Sequence, residues 1–494
     1  MSPTICLPRG LTCMLFMLAA LVARAGPVAD ETAAMHVVNR LSFGPEPGDI
    51  ERVMTIGIDA YVDEQLHPER LAEPPALVER LATLELARAS QADLVARFRE
   101  FNKKALDDAG TGKSARQAFL RQLAKEAAEA RLLPALASPR QLQEVMVDFW
   151  FNHFNVFQGK GLGHALVAGY EREAIRPFVL GRFRDLLGAT AHHPAMLFYL
   201  DNWLSAAPGF QPARTIGQAK QASGLNENYA RELMELHTLG VDGGYSQHDV
   251  TELARILTGW TIAPRDTGAG SLFVFAPRRH DYGSKQWLGY HVNGSGQAEG
   301  EWALDVLARH PATARRIAFK LAQQFVSDDP SPALVEQLAR RFLETDGDIR
   351  SVLATLFASA EFRDPAHRAA KFKSPYRYLL SSLRASGQPM PDVRVMLVAL
   401  HQQGMPLHGC QTPDGYKNTE AAWLNPEATT RRVSFATALG SGRLPMSDAG
   451  PVDAQRLMSA IGPMLGDRTR SVIAGTEPPL RSALMLGSPD FMRY

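Results

Sequence analysis

Apolar residues recur at helical spacing along almost the whole chain, and this periodicity narrows the possible folds more than any other feature. In Asp30 to Ser42 the side chains of Met35, Val38 and Leu41 fall on one face, Asp30 stands where an N-cap belongs, and Phe43-Gly44-Pro45 stops the run. The same pattern predicts helices over Asp49 to Thr55, Asp59 to Leu66, Gln91 to Leu132 with a break near Gly110-Thr111-Gly112, Ser138 to Trp150, Arg172 to Leu187, Glu227 to Leu239 and Ser246 to Leu257. Strand signals are scarce, the best being "SLFVFAP", Ser271 to Pro277. With 494 residues, 45% of them hydrophobic, the chain can bury a large core. The expected fold is mainly α, a compact multi-helix globule with at most a small β element.

The N-terminus reads as a leader. Arg9 precedes the apolar run Leu11 to Ala23, and Ala23-Arg24-Ala25 is an A-x-A cleavage signal. Residues 1–25 are therefore expected to be a signal peptide. Residues 26–440 are expected to form the helical core and 441–494 a C-terminal helical extension packed on it. The expected location is periplasmic or secreted, with no stable membrane span once the leader is gone, since no later stretch reaches roughly 18 uninterrupted apolar residues. Loss of Arg9 and Arg24, with no acid lost, takes the net charge from +1 to about −1. No strong field of either sign points to nucleic acid. Cys410 is the one cysteine outside the leader, so the mature chain forms no internal disulfide.

The stretch "NENYARELMELHTLG", Asn226 to Gly240, concentrates charge. At helical spacing Glu227, Arg231 and Glu235 form one line, and Asn226, Ala230, Leu233 and His237 form a mostly apolar face that points inward. The simplest reading of that face is a satisfied core histidine. The apolar flanks of the stretch argue for a largely buried helix at the centre of the fold, with Arg231 bonded to Glu227 or Glu235 and Glu232 the residue with a role beyond stability. Upstream, "VDFWFNHFNV" sets Asp148, Asn152, His153 and Asn155 among large apolar residues, where polar groups need partners. Downstream, "RRHDYGSK" adds His280, Asp281 and Lys285 on a loop. Imidazoles and carboxylates from separate segments suit a divalent metal, with His153, His237 and His280 as its candidate ligands, although no HExxH, CxxC or EF-hand spacing is present.

Other motifs have simple structural readings. His36 and Arg40, one helical turn apart, are expected at the surface, and Lys371 and Lys373 before Pro375 in a solvated turn. His310-Pro311 reads as a helix start, and Asp414-Gly415-Tyr416 with Trp423 as an exposed aromatic loop. "VLATLFASAEF", Val352 to Phe362, is echoed by "RSALMLGSPDF", Arg481 to Phe491, which suggests a recurring helix-to-helix corner. No GxSxG elbow, Rossmann fingerprint or kinase motif set is present.

The ordered set "HVVNRLSFGP", "FWFNHFNV", "GLNENYARELMELHTLGVDGGYSQHDVTELARILTGW", "HDYGSKQWLG", "HPATARRIAFKLAQQFVSDDP" and "PDGYKNTEAAWLNP" resembles the bacterial family catalogued as domain of unknown function 1800. The likeness runs from about His36 to the closing "GSPDF". It implies an exported protein, often encoded beside sulfatase- and alkaline-phosphatase-like proteins, and carries no catalytic role to any residue.

Two functions of different class are compatible with these residues. One is a hydrolase acting on an envelope or extracellular polymer. Its site would combine Glu232, Glu227, His237, His153, His280 and Asp281, with carboxylates as general acid and base and histidines as metal ligands or proton shuttles. The other is a non-catalytic export or assembly partner of a neighbouring sulfatase- or phosphatase-like secreted protein, in which the same residues form a buried polar network. Concavity separates them: an enzyme arranges such groups around an open cleft.

Overall fold

Short polar residues start the helices of this chain, and proline often follows them. Asp30, Ser90, Ser331, Asp348, Ser374 and Asn425 each accept a backbone N–H of the first helical turn through the side chain, satisfying donors the helix cannot. Prolines 332, 375 and 426 occupy the first helical positions, where no N–H is missed. Ser246 and Asp249 form a reciprocal capping box. His310 caps its own helix through Nδ1, 3.1 Å from the Ala312 nitrogen.

The computed structural model describes residues 30–494 except 109, 212–223, 264–271 and 447–448. The proposed leader lies outside the described residues. Within them the protein is mainly α, a compact globule with two small two-stranded antiparallel sheets. In one sheet Trp260–Ile262 pairs with Phe273–Phe275; in the other Lys285–Trp287 pairs with Tyr290–Val292. The predicted "SLFVFAP" strand is thus the shorter Phe273–Phe275, and Ser271 lies outside the described residues. The long charged stretch is two helices, Gln91–Asp107 and Thr111–Ala137, broken where the glycines predict.

The helix Gln141–His153 runs through the core, with Leu142, Met146, Val147 and Trp150 at most 1% exposed. Burial of side chains this size contributes about 1.5–3 kcal/mol each. Trp150 also donates its indole N–H to the Val179 carbonyl at 3.1 Å. The sequence echo is a shared corner: Ser359 and Ser488 each bond the carbonyl three residues back and accept the N–H three residues on, that of Phe362 and of Phe491.

Two surface expectations fail. His36 and Arg40 are buried: His36 bonds the Phe362 carbonyl at 2.8 Å, and Arg40 donates to the His367 carbonyl at 2.7 Å. Lys371 and Lys373 are buried as well. The cause is the chain's last segment, which pairs with 371–373 through Lys371 N to Tyr494 O at 3.1 Å and Tyr494 N to Lys371 O at 2.9 Å. This strap covers the cations with rings. Lys373 Nζ lies 3.7 Å from the Phe491 ring centroid, and the Arg40 guanidinium lies 4.9 Å from that of Tyr494.

Candidate functional site

A cleft of about 490 Å³ opens where the C-terminal turns of Gln141–His153 meet the helix Pro311–Phe325. The second helix has two faces. Ile317, Ala318, Leu321 and Ala322 are buried in the core, while Arg316, Phe319, Lys320, Gln323 and Gln324 line the cleft at spacings of three and four. The loop Asp414 to Asn418, Leu236, Arg377 and Tyr494 complete the walls.

The "FNHFN" motif positions this loop. Asn152 donates its amide to Tyr416 O at 2.8 Å and accepts Tyr416 N–H at 2.7 Å. Asn155 donates to the carbonyls of Cys410, at 3.0 Å, and Thr412, at 2.8 Å. Gly415 between them has φ +70, and a Cβ there would stand 2.2 Å from the Asn152 carbonyl oxygen, so only glycine lets the loop approach so closely. The buried asparagines therefore act as loop anchors. The loop is packed against the cleft, with Trp423 buried; it is not the exposed aromatic loop expected.

His153 sits at the inner end. Its Nε2 lies 3.1 Å from the His237 carbonyl, an acceptor only, so Nε2 carries the proton and Nδ1 is left as an acceptor. Lys320 Nζ donates to that Nδ1 at 2.8 Å. The acceptor carbonyl comes from a π-helical turn, Leu233–His237, which closes with Thr238 Oγ1 donating to Leu233 O at 2.6 Å and Gly240 N to Met234 O at 3.1 Å. Burial, with Arg316 and Lys417 nearby, brings the Lys320 ammonium down to about 7, and Asp414 opposes this. Burial, aided by Lys320, keeps His153 well below the usual imidazole range. Near neutral pH the pair is thus a neutral imidazole beside an amine that is about half deprotonated.

Behind the floor, Arg131 donates to Asp148 and to Glu171 at 2.6 Å each. Arg176 extends this network to Glu144. Glu171 begins a second π-helical turn, Glu171–Ile175.

The remaining candidates are dispersed. His237 is packed behind His153, ring centroids 6.2 Å apart, with its Nε2 unbonded. Glu232 lies in a separate depression that it lines with Lys160, Tyr199, Gln411 and Pro413. Burial and Glu235 hold its carboxyl above the usual range. Glu227 ties two helices together, accepting from Thr251 at 2.7 Å and Gln247 at 2.8 Å. Asp281 accepts from Arg255 at 2.7 Å. His280 is enclosed between Glu299 and the Thr258 carbonyl. Among the described residues no three His, Cys, Asp or Glu side chains gather to hold a metal ion. The structure does not bring His153, His237 and His280 together as ligands, because His280 belongs to the hairpin region and His153 bonds an amine. Buried Cys410 faces the Thr412 carbonyl, 3.7 Å from Sγ.

The stretch around Glu232 divides as its faces suggest. Ala230, Leu233 and His237 are buried, but the charged line is not. Arg231 is 39% exposed and bonds Gln247 at 2.7 Å, with Glu227 at 3.5 Å. The buried ion pair expected there is a partly exposed surface contact, because only the face carrying Ala230, Leu233 and His237 is turned to the core.

Sequence reasoning missed Lys320, Arg316 and Arg377. The available signal was the polar line Arg316, Lys320, Gln323 and Gln324 on an otherwise apolar helix.

The model of the protein family of unknown function DUF1800 matches residues 36–493. The chain belongs to DUF1800. The match runs from the His36 helix to the strap residue Arg493, so it includes every wall of the cleft except Tyr494. Comparison with curated proteins and with solved structures gave no match.

Proposed function

We propose that this DUF1800 protein is a hydrolase acting on an envelope or extracellular polymer, with Lys320 as general base and His153 as the group that positions it. The observation carrying this reading is the Lys320–His153 contact inside an open cleft of suitable size. An amine titrating near 7 is a competent base at neutral pH. Lys320 Nζ accepts a proton from the attacking water, the water oxygen bonds to the acyl carbon of an ester or amide, and that carbon's bond to the alcohol oxygen or amine nitrogen breaks as Lys320 passes the proton to the leaving group. His153 Nδ1 fixes the amine's direction. We further propose export through Leu11 to Ala23 and cleavage after Ala25.

The test is pH-stat titration of acid released from envelope and extracellular polymers. Lys320→Met and Lys320→Arg are both expected to abolish release. Equal rates for Lys320→Met and the parent overturn the reading. Activity lost in Glu232→Gln but kept in Lys320→Met moves the site to the depression beside Tyr199.

One observation favours the second reading, a non-catalytic export or assembly partner, with a sulfatase- or phosphatase-like secreted protein as its counterpart. An apolar groove of about 360 Å³ lies between the helices Val393–Gln402 and Pro426–Gly440, with Val398 and Met446 exposed along it.

A further inference from the structure

The charges lining the cleft do not balance. Its acids are already engaged, Asp148 by Arg131 and Asp414 by Lys417, each at 2.6 Å. Two arginines are held by carbonyls instead of carboxylates. Arg316 donates Nε to Leu236 O at 3.1 Å, and Arg377 donates Nη2 to the carbonyls of Asn39 and Ser42. Arg377 is buried and stacked 3.9 Å from the Tyr494 ring centroid. Carbonyl bonds orient a guanidinium without neutralising it, and the acids nearest them, Glu235 for Arg316 and Asp148 for Arg377, act through space without an ion-pair contact, so both cations face the cleft with donors unused. Leaving such charge uncompensated in a partly desolvated space is costly, and a bound anion removes the cost through charge-assisted bonds.

We infer that the cleft binds an oxyanion-bearing substrate, its carboxylate, phosphate or sulfate group held by Arg316 beside Lys320, with Arg377 a second cation on the cleft wall. This rests on the cleft being the substrate site and names the substrate class. Phosphate, sulfate and carboxylate share pairs of oxygens that accept the parallel N–H donors of a guanidinium fork. The groups setting the charge around Lys320 are Arg316 on its own helix, Lys417 and Asp414 on the loop, His153 on the core helix and His237 behind it.

Lys320 reports occupancy without any turnover. The protein is acetylated with acetic anhydride across a pH series, and modification at Lys320 is read by peptide mass spectrometry. Sodium phosphate, sulfate and glucuronate are compared with sodium chloride at equal ionic strength. An anion beside the amine stabilises its charged form and is expected to move the modification midpoint up by about 1 pH unit. Whichever of the three shifts it most identifies the group carried by the substrate. Arg316→Gln, with folding verified by its melting temperature, is expected to lose the shift, and Arg316→Lys to retain part of it. No shift with any of the three anions overturns the inference, as does a full shift in Arg316→Gln. Failure of the hydrolase reading is seen separately, as absence of acid release, and leaves this binding experiment unaffected.

Discussion

Lys320 Nζ lies 2.8 Å from His153 Nδ1, while His153 Nε2 is held 3.1 Å from the His237 carbonyl. The carbonyl sets the imidazole tautomer, and the tautomer sets which way the amine points. A base is useful only when deprotonated. If Lys320 is the base, kcat/KM rises with pH through about 7 and levels above it. His153→Gln is expected to lower kcat more than it raises KM, since it disturbs the amine's direction and leaves the cleft wall in place. A rate that falls with rising pH across this range counts against Lys320 as base.

Arg131 and Arg231 should separate sharply in stability. Arg131, 5% exposed, is bonded to two carboxylates, and Arg131→Met leaves buried Glu171 to its 3.2 Å contact with Arg176 and takes the cation from Asp148 at the cleft wall. The expected loss is about 3–5 kcal/mol. Arg231→Ala removes a partly exposed surface contact and should cost under about 1 kcal/mol. Denaturant unfolding of both variants, with m compared to confirm the same transition, checks the contrast.

Stability should fall as pH drops below neutral. His36, His193 and His237 are each held down to about 3, chiefly by burial, and burial likewise holds His153 well below the ordinary imidazole range. Their unfolded values are about 6.5, so between pH 6.5 and 3 the unfolded chain binds protons the folded one excludes. The stabilisation is complete above 6.5 and is lost as pH falls, at up to about 1.4 kcal/mol per pH unit per histidine. His237→Gln, replacing a ring whose facing cations are Lys320 and Arg316, should show a shallower decline of melting temperature with acid. An unchanged slope removes His237 from the set.

Gly415→Ala tests the loop anchor. With φ at +70 and the Asn152 oxygen 2.2 Å from the new Cβ, the loop must move off the helix end. Cleft binding is expected to weaken at least tenfold, with only a modest loss of stability because the loop lies at the cleft edge. A variant binding as the parent does would show that Asp414 and Tyr416 do not shape the cleft.

The helices, their caps and the apolar faces are local properties, and the sequence by itself determined them. Asp30, Ser246 and His310 stand at helix starts as read, and Ala230, Leu233 and His237 face the core. These follow from 3.6-residue periodicity and from donors that only a neighbouring side chain can satisfy. Membership of DUF1800 was legible for the same reason, since it rests on ordered motifs. Which polar groups meet was decided only by the tertiary structure. His153 reaches Lys320 across 167 positions and Asn152 reaches Tyr416 across 264, so no spacing announces either contact. The strap at Tyr494 buries Lys371 and Arg40, which local charge alone assigns to solvent. Periodicity says which face of a helix turns inward; which helix it meets there depends on long-range packing, and that packing brings a lysine and a histidine to one cleft while leaving Glu227, Asp281 and His280 elsewhere.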